Sequence, residues 1–173
     1  METENRTIVF NGIVVNIEQM EVKIGDKGWH PYQIVRHPGG VGILPLHEDG
    51  TVTLIRQLRP ATGGFTLEIP AGRLCTGEQP ILCGNRELLE ETGLTATALT
   101  SLGFIHSSPG FLDEVIHLFL ATGLSQGKAQ PEDYEDIEAV RLPMEEALEM
   151  ALDGRITDGK TIAALYRAKG RDK

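Results

Sequence analysis

Several features that would point to particular classes of protein are scarce in this chain of 173 residues. Its two cysteines, Cys75 and Cys83, are too few for a disulfide framework, and neither lies in a CxxC or Cys/His cluster typical of zinc sites. No stretch approaches the roughly 20 apolar residues that a membrane span requires, and the opening METENRTIVF has no signal-peptide pattern. We therefore expect a cytoplasmic protein with reduced thiols.

An excess of positive charge is also absent. The chain has 25 acidic and 16 basic residues, a formal net charge of -9. Nucleic acids and anionic membranes attract clustered Lys and Arg, so neither is an expected partner. A small anionic ligand then requires a metal ion or a few local arginines.

The order of predicted elements favours an α+β fold. Short β-branched runs fill the first half, where Asp49-Gly50 predicts a hairpin turn. Strands are also predicted at 98–106, 113–124 and 136–142, and helices at 79–92, 143–154 and 157–169. Pro143 suits the first turn of the second helix, Gly154 its end, and Thr157 or Asp158 the N-cap of the third. The first 40 residues suggest a small separate sheet.

The helix predicted at 79–92 carries unusual charge. At about 100° per residue, one side gathers apolar residues that we expect in the core, namely Ile81, Leu82, Leu88 and Leu89. The opposite side gathers Glu87, Glu90 and Glu91, which we expect to face a cleft. Like charges three and four positions apart repel, so this helix face needs a cation.

The spacing around this helix is specific. From Gly72 the chain reads GRLCTGEQPILCGNRELLEETGL, which resembles the signature of the Nudix hydrolases at every specified position. A solvated acidic helix face would explain the three glutamates but not Gly72, Glu78 and Arg86 at their offsets. Gly72 and Gly93 are expected in sharp backbone turns before and after the helix. Arg86 is expected to pair with Glu90 and orient it.

Carboxylates at this spacing suit a hard divalent cation. Mg²⁺ prefers carboxylate oxygens and substrate phosphates, and Glu87 and Glu91 lie one helical turn apart, with Glu90 alongside. Such cations can neutralise a diphosphate and activate an attacking water. We expect Mg²⁺, with Mn²⁺ as the alternative.

Segments outside the signature are similar to the ADP-ribose pyrophosphatase subgroup. They are RQLRP, EIPAG, SSPGFLDE with Pro109 sixteen positions after Gly93, and ITDGKTIAAL. The resemblance implies a mixed β-sheet sandwiched between helices over 41–173, and a small N-terminal antiparallel sheet over 1–40 that forms a homodimer. It implies hydrolysis of ADP-ribose to AMP and ribose 5-phosphate. The alternatives are another nucleoside diphosphate sugar such as GDP-mannose, a damaged nucleoside triphosphate, or a noncatalytic ADP-ribose sensor.

The resemblance also implies metal and catalytic residues. The metal ligands would be the Ala71 carbonyl, Glu87, Glu91 and Glu135, with Glu90 and Arg86 in the catalytic centre. The base would be Glu132 or Asp133 in the acidic segment PEDYEDI, which could equally be a solvated turn.

Substrate contacts follow from the same resemblance. Arg59 would bind a phosphate, as its planar fork of donors allows, and Arg56 is a second candidate that could instead be a surface partner on its strand. Glu114 would face the terminal ribose or be a solvated charge. Pro109 would mark the substrate loop. From their chemistry, Trp29 and Tyr32 could sandwich an adenine base or pack in the core or a dimer interface.

Overall fold

The structure, a computed structural model, describes residues 1–129 and 136–171. Its strands are β1 (Thr3–Asn11), β2 (Asn16–Lys23), β3 (Trp29–Arg36), β4 (Gly40–Pro45), β5 (Thr51–Arg59), β6 (Gly64–Glu68), β7 (Ala71–Arg73), β8 (Leu94–His106), β9 (Val115–Gln126) and β10 (Ile137–Pro143). Its α-helices are α1 (Pro80–Thr92), α2 (Met144–Leu152) and α3 (Gly159–Lys169). No helix in these described ranges is long and apolar enough to cross a bilayer.

The chain divides into two compact units. The first contains Met1–Gly39 and His106–Val115, and its three strands form an antiparallel sheet in the order β1-β2-β3. The second contains Gly40–Ile105 and Ile116–Lys173.

The second unit is built on two sheets. One has the order β7-β4-β9-β8, in which β4 pairs parallel with β9 and antiparallel with β7. The other has the order β10-β5-β6 and is antiparallel. The parallel pair joins segments more than 70 positions apart in the chain, so β4 receives its neighbours from both sides of α1.

Side-chain alternation along β4 shows how the layers form. Val41 and Ile43 pack with Leu88 of α1 in one apolar cluster. Leu44, one residue further on, points to the other face and packs with Leu165 in the cluster that α2 and α3 complete. The sheet therefore lies between α1 on one face and the two C-terminal helices on the other, which confirms the predicted α+β fold class.

The predicted turn at Asp49-Gly50 is present, but its strands separate. The His47 N–H donates to the Thr51 carbonyl at 2.8 Å, Gly50 has φ of 79°, and Leu46 bridges Val52. Beyond that bridge β4 and β5 enter different sheets. The Asp49-Gly50 turn therefore lies where the chain passes from the sheet that contains β4 to the sheet that contains β5.

The helix ends largely follow their signals. Asp158 is the N-cap of α3 and accepts a hydrogen bond from the Thr161 N–H, which decides between the two expected caps. Gly93 ends α1 in the left-handed region, with φ of 73°. The side-chain faces of α1 differ from expectation, since Ile81 and Leu82 are 41% and 57% exposed.

Candidate functional site

The guanidinium of Arg86 gathers three carboxylates. Its Nη1 donates to Glu87 at 2.6 Å and to Glu90 at 3.0 Å, while Nε and Nη2 each lie 3.3 Å from an oxygen of Glu78. The Arg86 to Glu90 contact is the one that the sequence predicts. The contacts to Glu87 and Glu78 are additional, so one cation offsets the charge of Glu78, Glu87 and Glu90.

The loop before α1 is fixed to the same arginine. Glu78 accepts from the Cys75 N–H at 2.9 Å as well as from Arg86. The hydrogen bonds from Arg86 and then from Cys75 lower the pKa of Glu78 to about 2. Burial alone would lower the pKa of Arg86, but its carboxylate partners raise it. Glu78 and Arg86 are therefore both charged at neutral pH.

Glu87 and Glu91 lie against strand β7 and are buried, with 9% and 4% exposure. The Ala71 N–H donates to Glu91 Oε2 at 2.8 Å. A Cβ at Gly72 would lie 1.9 Å from the carboxyl carbon of Glu87. Gly72 is inside a strand rather than in a turn, so the expected turn is wrong; the residue is needed for space.

The donor chemistry at this place suits a hard cation. Glu87 and Glu91 bring their carboxylates to the backbone of Ala71 and Gly72. Because Gly72 has no side chain, there is space for the Glu87 carboxylate beside the strand. In the residues that the structure describes, no group of three or more His, Cys, Asp or Glu side chains is already arranged around a cation position. The Arg86 cation contacts Glu87 and Glu90, and it competes for the oxygens that a metal would use.

Arg59 lies beside Glu68, a residue that the sequence reasoning missed. Nε and Nη2 of Arg59 each donate to a Glu68 oxygen at 2.8 Å. These hydrogen bonds raise the pKa of Arg59 against the effect of burial, and the negative charge of Glu91 adds to the rise. Arg59 is thus held by the Glu68 carboxylate, and the negative charge of Glu91 on α1 also stabilises its positive charge.

Glu68 belongs to a wider buried network. It is 3% exposed and also accepts from Thr66 and from Lys160 at the start of α3. Lys160 contacts Asp158 at 3.1 Å. The segments EIPAG and ITDGKTIAAL, noted only as a resemblance, contain these residues, and a lone charge amid apolar neighbours is the signal that could have found Glu68.

Arg56 takes a different position from Arg59. Its guanidinium carbon lies 3.7 Å from the centre of the Phe65 ring, and Nη1 is 4.0 Å from Glu138. Gln57, which follows Arg56 in the sequence, is 7% exposed. Its amide oxygen has no hydrogen-bond partner among residues 1–129 and 136–171. The contacts of Arg56 are those of a surface partner on its strand, and a substrate contact of Arg56 stays a prediction.

The remaining described candidates lie in the first unit. Glu114 Oε1 is 3.2 Å from His37 Nδ1 and its side chain is only 20% exposed, so it is not a solvated charge. Pro109 is exposed. Trp29 and Tyr32 are 39% and 40% exposed and therefore not core residues.

Trp29 and Tyr32 cannot form one sandwich within a chain. They lie three positions apart on β3, which pairs with β2 in unbroken register. Successive side chains alternate between sheet faces, so these two rings point to opposite faces. Glu132, Asp133 and Glu135 lie outside the described residues.

Residues 36–165 match the Nudix domain family. The chain belongs to this family. The Nudix relatives include an ADP-ribose pyrophosphatase of Bacillus subtilis (strain 168) and a methanol dehydrogenase activator of Bacillus methanolicus, each 35% identical over 168 residues, with 94% of this chain and 91% of the relative covered.

Other similar proteins broaden the comparison. A GDP-mannose pyrophosphatase of Yersinia enterocolitica is 38% identical over 143 residues, which cover 78% of this chain and 74% of the relative. A crystal structure of an ADP compounds hydrolase superimposes with a TM-score of 0.84 at 20% identity, covering 98% of this chain and 92% of that one. At that identity the structure shows the Nudix fold alone.

Proposed function

We propose that this protein is a metal-dependent pyrophosphohydrolase that cleaves the diphosphate of ADP-ribose to AMP and ribose 5-phosphate. The observation that carries the proposal is the pairing of buried Glu87 and Glu91 with the glycine-lined backbone of β7. Relatives named for ADP-ribose hydrolysis that match nearly the whole chain support the choice of substrate.

Glu87, Glu91 and the Ala71 carbonyl are the proposed metal ligands, with Glu135 as a further one. Mg²⁺ is the proposed ion and Mn²⁺ the alternative. When bound, such an ion supplies positive charge to the diphosphate and makes a bound water more acidic. The oxygen-rich donor set is the chemistry that supports this assignment.

The chain's own residues have distinct roles in this proposal. Arg86 holds Glu87 and Glu90 in position through its Nη1. Glu132 or Asp133 takes the proton from the attacking water, as a positioned carboxylate can. Arg59 binds a substrate phosphate with the part of its fork that Glu68 does not use.

Further substrate contacts are proposed from the resemblance. Arg56, Glu114 and the loop that contains Pro109 are assigned to the substrate, with Glu114 toward the terminal ribose. Trp29 or Tyr32 stacks on the base. Because they point to opposite faces of β3, only one of the two can do so in a given chain.

The N-terminal region is the proposed dimerisation element, over residues 1–40, with the Nudix domain over 41–173. β1 is an edge strand on which Ile8, Val9 and Phe10 are each at least half exposed, and Ile13 in the following turn is fully exposed. Exposed apolar edges favour association with another chain. The exposed edge supports the proposed homodimer, and the net charge of -9 supports the proposed lack of nucleic-acid and membrane partners. The proposed location is the cytoplasm.

The second candidate is hydrolysis of a different nucleoside diphosphate sugar. The GDP-mannose pyrophosphatase relatives favour it, and the metal chemistry would be the same. A noncatalytic sensor is disfavoured because Glu87, Glu90 and Glu91 are all retained.

The experiment is a substrate panel. The purified protein is incubated with Mg²⁺ and with ADP-ribose, GDP-mannose, UDP-glucose or a nucleoside triphosphate at equal concentration, and kcat/KM is measured from the products. The proposal predicts the highest kcat/KM for ADP-ribose. A higher value for GDP-mannose would replace the substrate and keep the metal chemistry; binding of ADP-ribose without cleavage would favour the sensor.

A further inference from the structure

The carboxylate of Glu68 has all its acceptor positions filled. Oε1 accepts from Arg59 Nε and Thr66 Oγ1, and Oε2 accepts from Arg59 Nη2 and Lys160 Nζ. A buried charge is tolerated only when it is paired and hydrogen-bonded. Glu68 is therefore fixed between two cations that come from opposite ends of the second unit's sequence.

The side chain of Lys160 is largely shielded from solvent. It is 10% exposed, and it contacts both Glu68 and Asp158. The four groups Arg59, Glu68, Asp158 and Lys160 carry two positive and two negative charges. Burial would raise the pKa of Glu68, but Arg59 and Lys160 together lower it to about 2.

Helix α3 is also bonded to the backbone that follows Glu68. Thr161, fully buried, accepts from the Ile69 N–H at 2.7 Å and donates to Asp158. Two residues after Ile69, the Ala71 N–H donates to Glu91. The first turn of α3 thus fixes the segment that joins Glu68 to the acidic helix.

Arg59 has donors left for a ligand. Within the described part of the chain it uses only Nε and Nη2, and its side chain is 38% exposed. Without the charge of Lys160, Arg59 would be grouped with two carboxylates, Glu68 and Asp158, and the net negative charge would repel an anion. With Lys160 the positive and negative charges balance, so the unused donors of Arg59 can attract a phosphate without an excess negative charge behind them.

We propose that Lys160 is a positioning residue for the substrate diphosphate: by sharing the charge of Glu68, it leaves the Arg59 guanidinium oriented and attractive to phosphate. The inference rests on the proposed function, since it takes Arg59 as the phosphate contact. It extends that function to a residue on another helix that need not touch substrate.

The test compares Lys160→Met, Lys160→Gln and Lys160→Arg with the wild type at saturating Mg²⁺. Lys169→Met is the matched control, because Lys169 is on the same helix and pairs with Glu145 at the surface. The neutral variants should raise KM for ADP-ribose about 10-fold and change kcat by less than about 3-fold. Lys160→Arg should restore KM to within about 3-fold, and Lys169→Met should match the wild type.

Calorimetric binding of ADP-ribose in EDTA separates this role from general destabilisation. The same weakening of Kd in Lys160→Gln, at a temperature where circular dichroism shows a folded protein, supports the inference. Unchanged KM and Kd in the neutral variants, or an equal change in Lys169→Met, would overturn it. If the wild type cleaves GDP-mannose and not ADP-ribose, the proposed substrate fails, and the same comparison with GDP-mannose decides the role of Lys160.

Discussion

The carboxyl group of Glu87 occupies the space beside Gly72 that a side chain would fill. The distance from an added Cβ to the Glu87 carboxyl carbon is 1.9 Å, far below a tolerable contact. Because Glu87 is buried, its carboxyl group cannot move away from Gly72 without losing its place beside β7. The position of the Glu87 carboxylate in the proposed metal site therefore depends on the glycine at position 72.

Gly72→Ala should therefore remove activity more than stability. Displacement of a catalytic group by about 1 Å can cost about 100-fold in rate, and we expect kcat to fall by about that factor. Gly64→Ala is the control, since Gly64 is also on a strand and an added Cβ there meets no atom within 4 Å. Steady-state kinetics of both variants checks this, and equal kcat values would contradict it.

Thr161→Val should destabilise the protein. The substitution keeps the shape but leaves the Ile69 N–H without its acceptor and removes a donor to Asp158. An unsatisfied buried group costs about 1–3 kcal/mol in free energy of unfolding. Urea denaturation measures the loss, and Thr161→Ser should recover most of it. A Val variant as stable as the wild type would show that the hydroxyl is dispensable.

Glu68 should make stability depend on acid pH. Its folded pKa is lowered from 4.5 to about 2, so the carboxylate stabilises the folded state above about pH 4.5, and this contribution is lost as pH falls toward 2. Between about pH 6 and pH 2, the wild type should lose more free energy of unfolding than Glu68→Gln.

Other carboxylates lose their contribution to stability over the same pH range. The prediction therefore concerns the difference between the wild type and Glu68→Gln when the free energy of unfolding is plotted against pH. The pKa values of Glu18, Asp49 and Glu78 are also lowered to about 2. Glu146→Gln, on the exposed side of α2, is the control and should follow the wild type. Parallel curves for wild type and Glu68→Gln would show that Glu68 is not the source.

Arg86→Gln should make stability more sensitive to Mg²⁺ than it is in the wild type. The variant loses the cation that contacts Glu78, Glu87 and Glu90, and we expect its free energy of unfolding in EDTA to fall by about 1–3 kcal/mol. Mg²⁺ should recover part of that loss, since a ligand that binds the folded state stabilises it. Arg155→Gln, which breaks a surface pair with Asp153, should cost less than about 0.5 kcal/mol. An equal loss for Arg86→Gln with and without Mg²⁺ would contradict the prediction.

The spacing of the acidic helix could be interpreted from sequence because its chemistry is local. Glu78, Arg86 and Glu90 lie within 12 positions, and the helical period alone brings Arg86 to Glu90. The same period misplaced Ile81 and Leu82 in the core, where Cys83 and Gly84 are buried instead. Hydrophobicity was misleading there because the inward face of α1 includes the carboxylates of Glu87 and Glu91.

Contacts between residues far apart in the chain could not be predicted from the sequence. Nothing near Glu68 in the sequence indicates that its second cation is Lys160, 92 positions later. Likewise, the turn at Asp49-Gly50 gives no sign that β4 pairs with β9 rather than with β5. Both contacts depend on how sheets and helices stack, which local propensities do not determine.

The role of the buried carboxylates is tested most simply by the rate of ADP-ribose cleavage in Mg²⁺ by the wild type, Glu91→Gln and the control Glu146→Gln. The wild type and Glu146→Gln should each release AMP and ribose 5-phosphate in equal molar amounts, and at the same rate. In folded Glu91→Gln, kcat should fall by at least about 100-fold. Cleavage by Glu91→Gln at the wild-type rate, or no cleavage of any diphosphate by the wild type, would contradict this role.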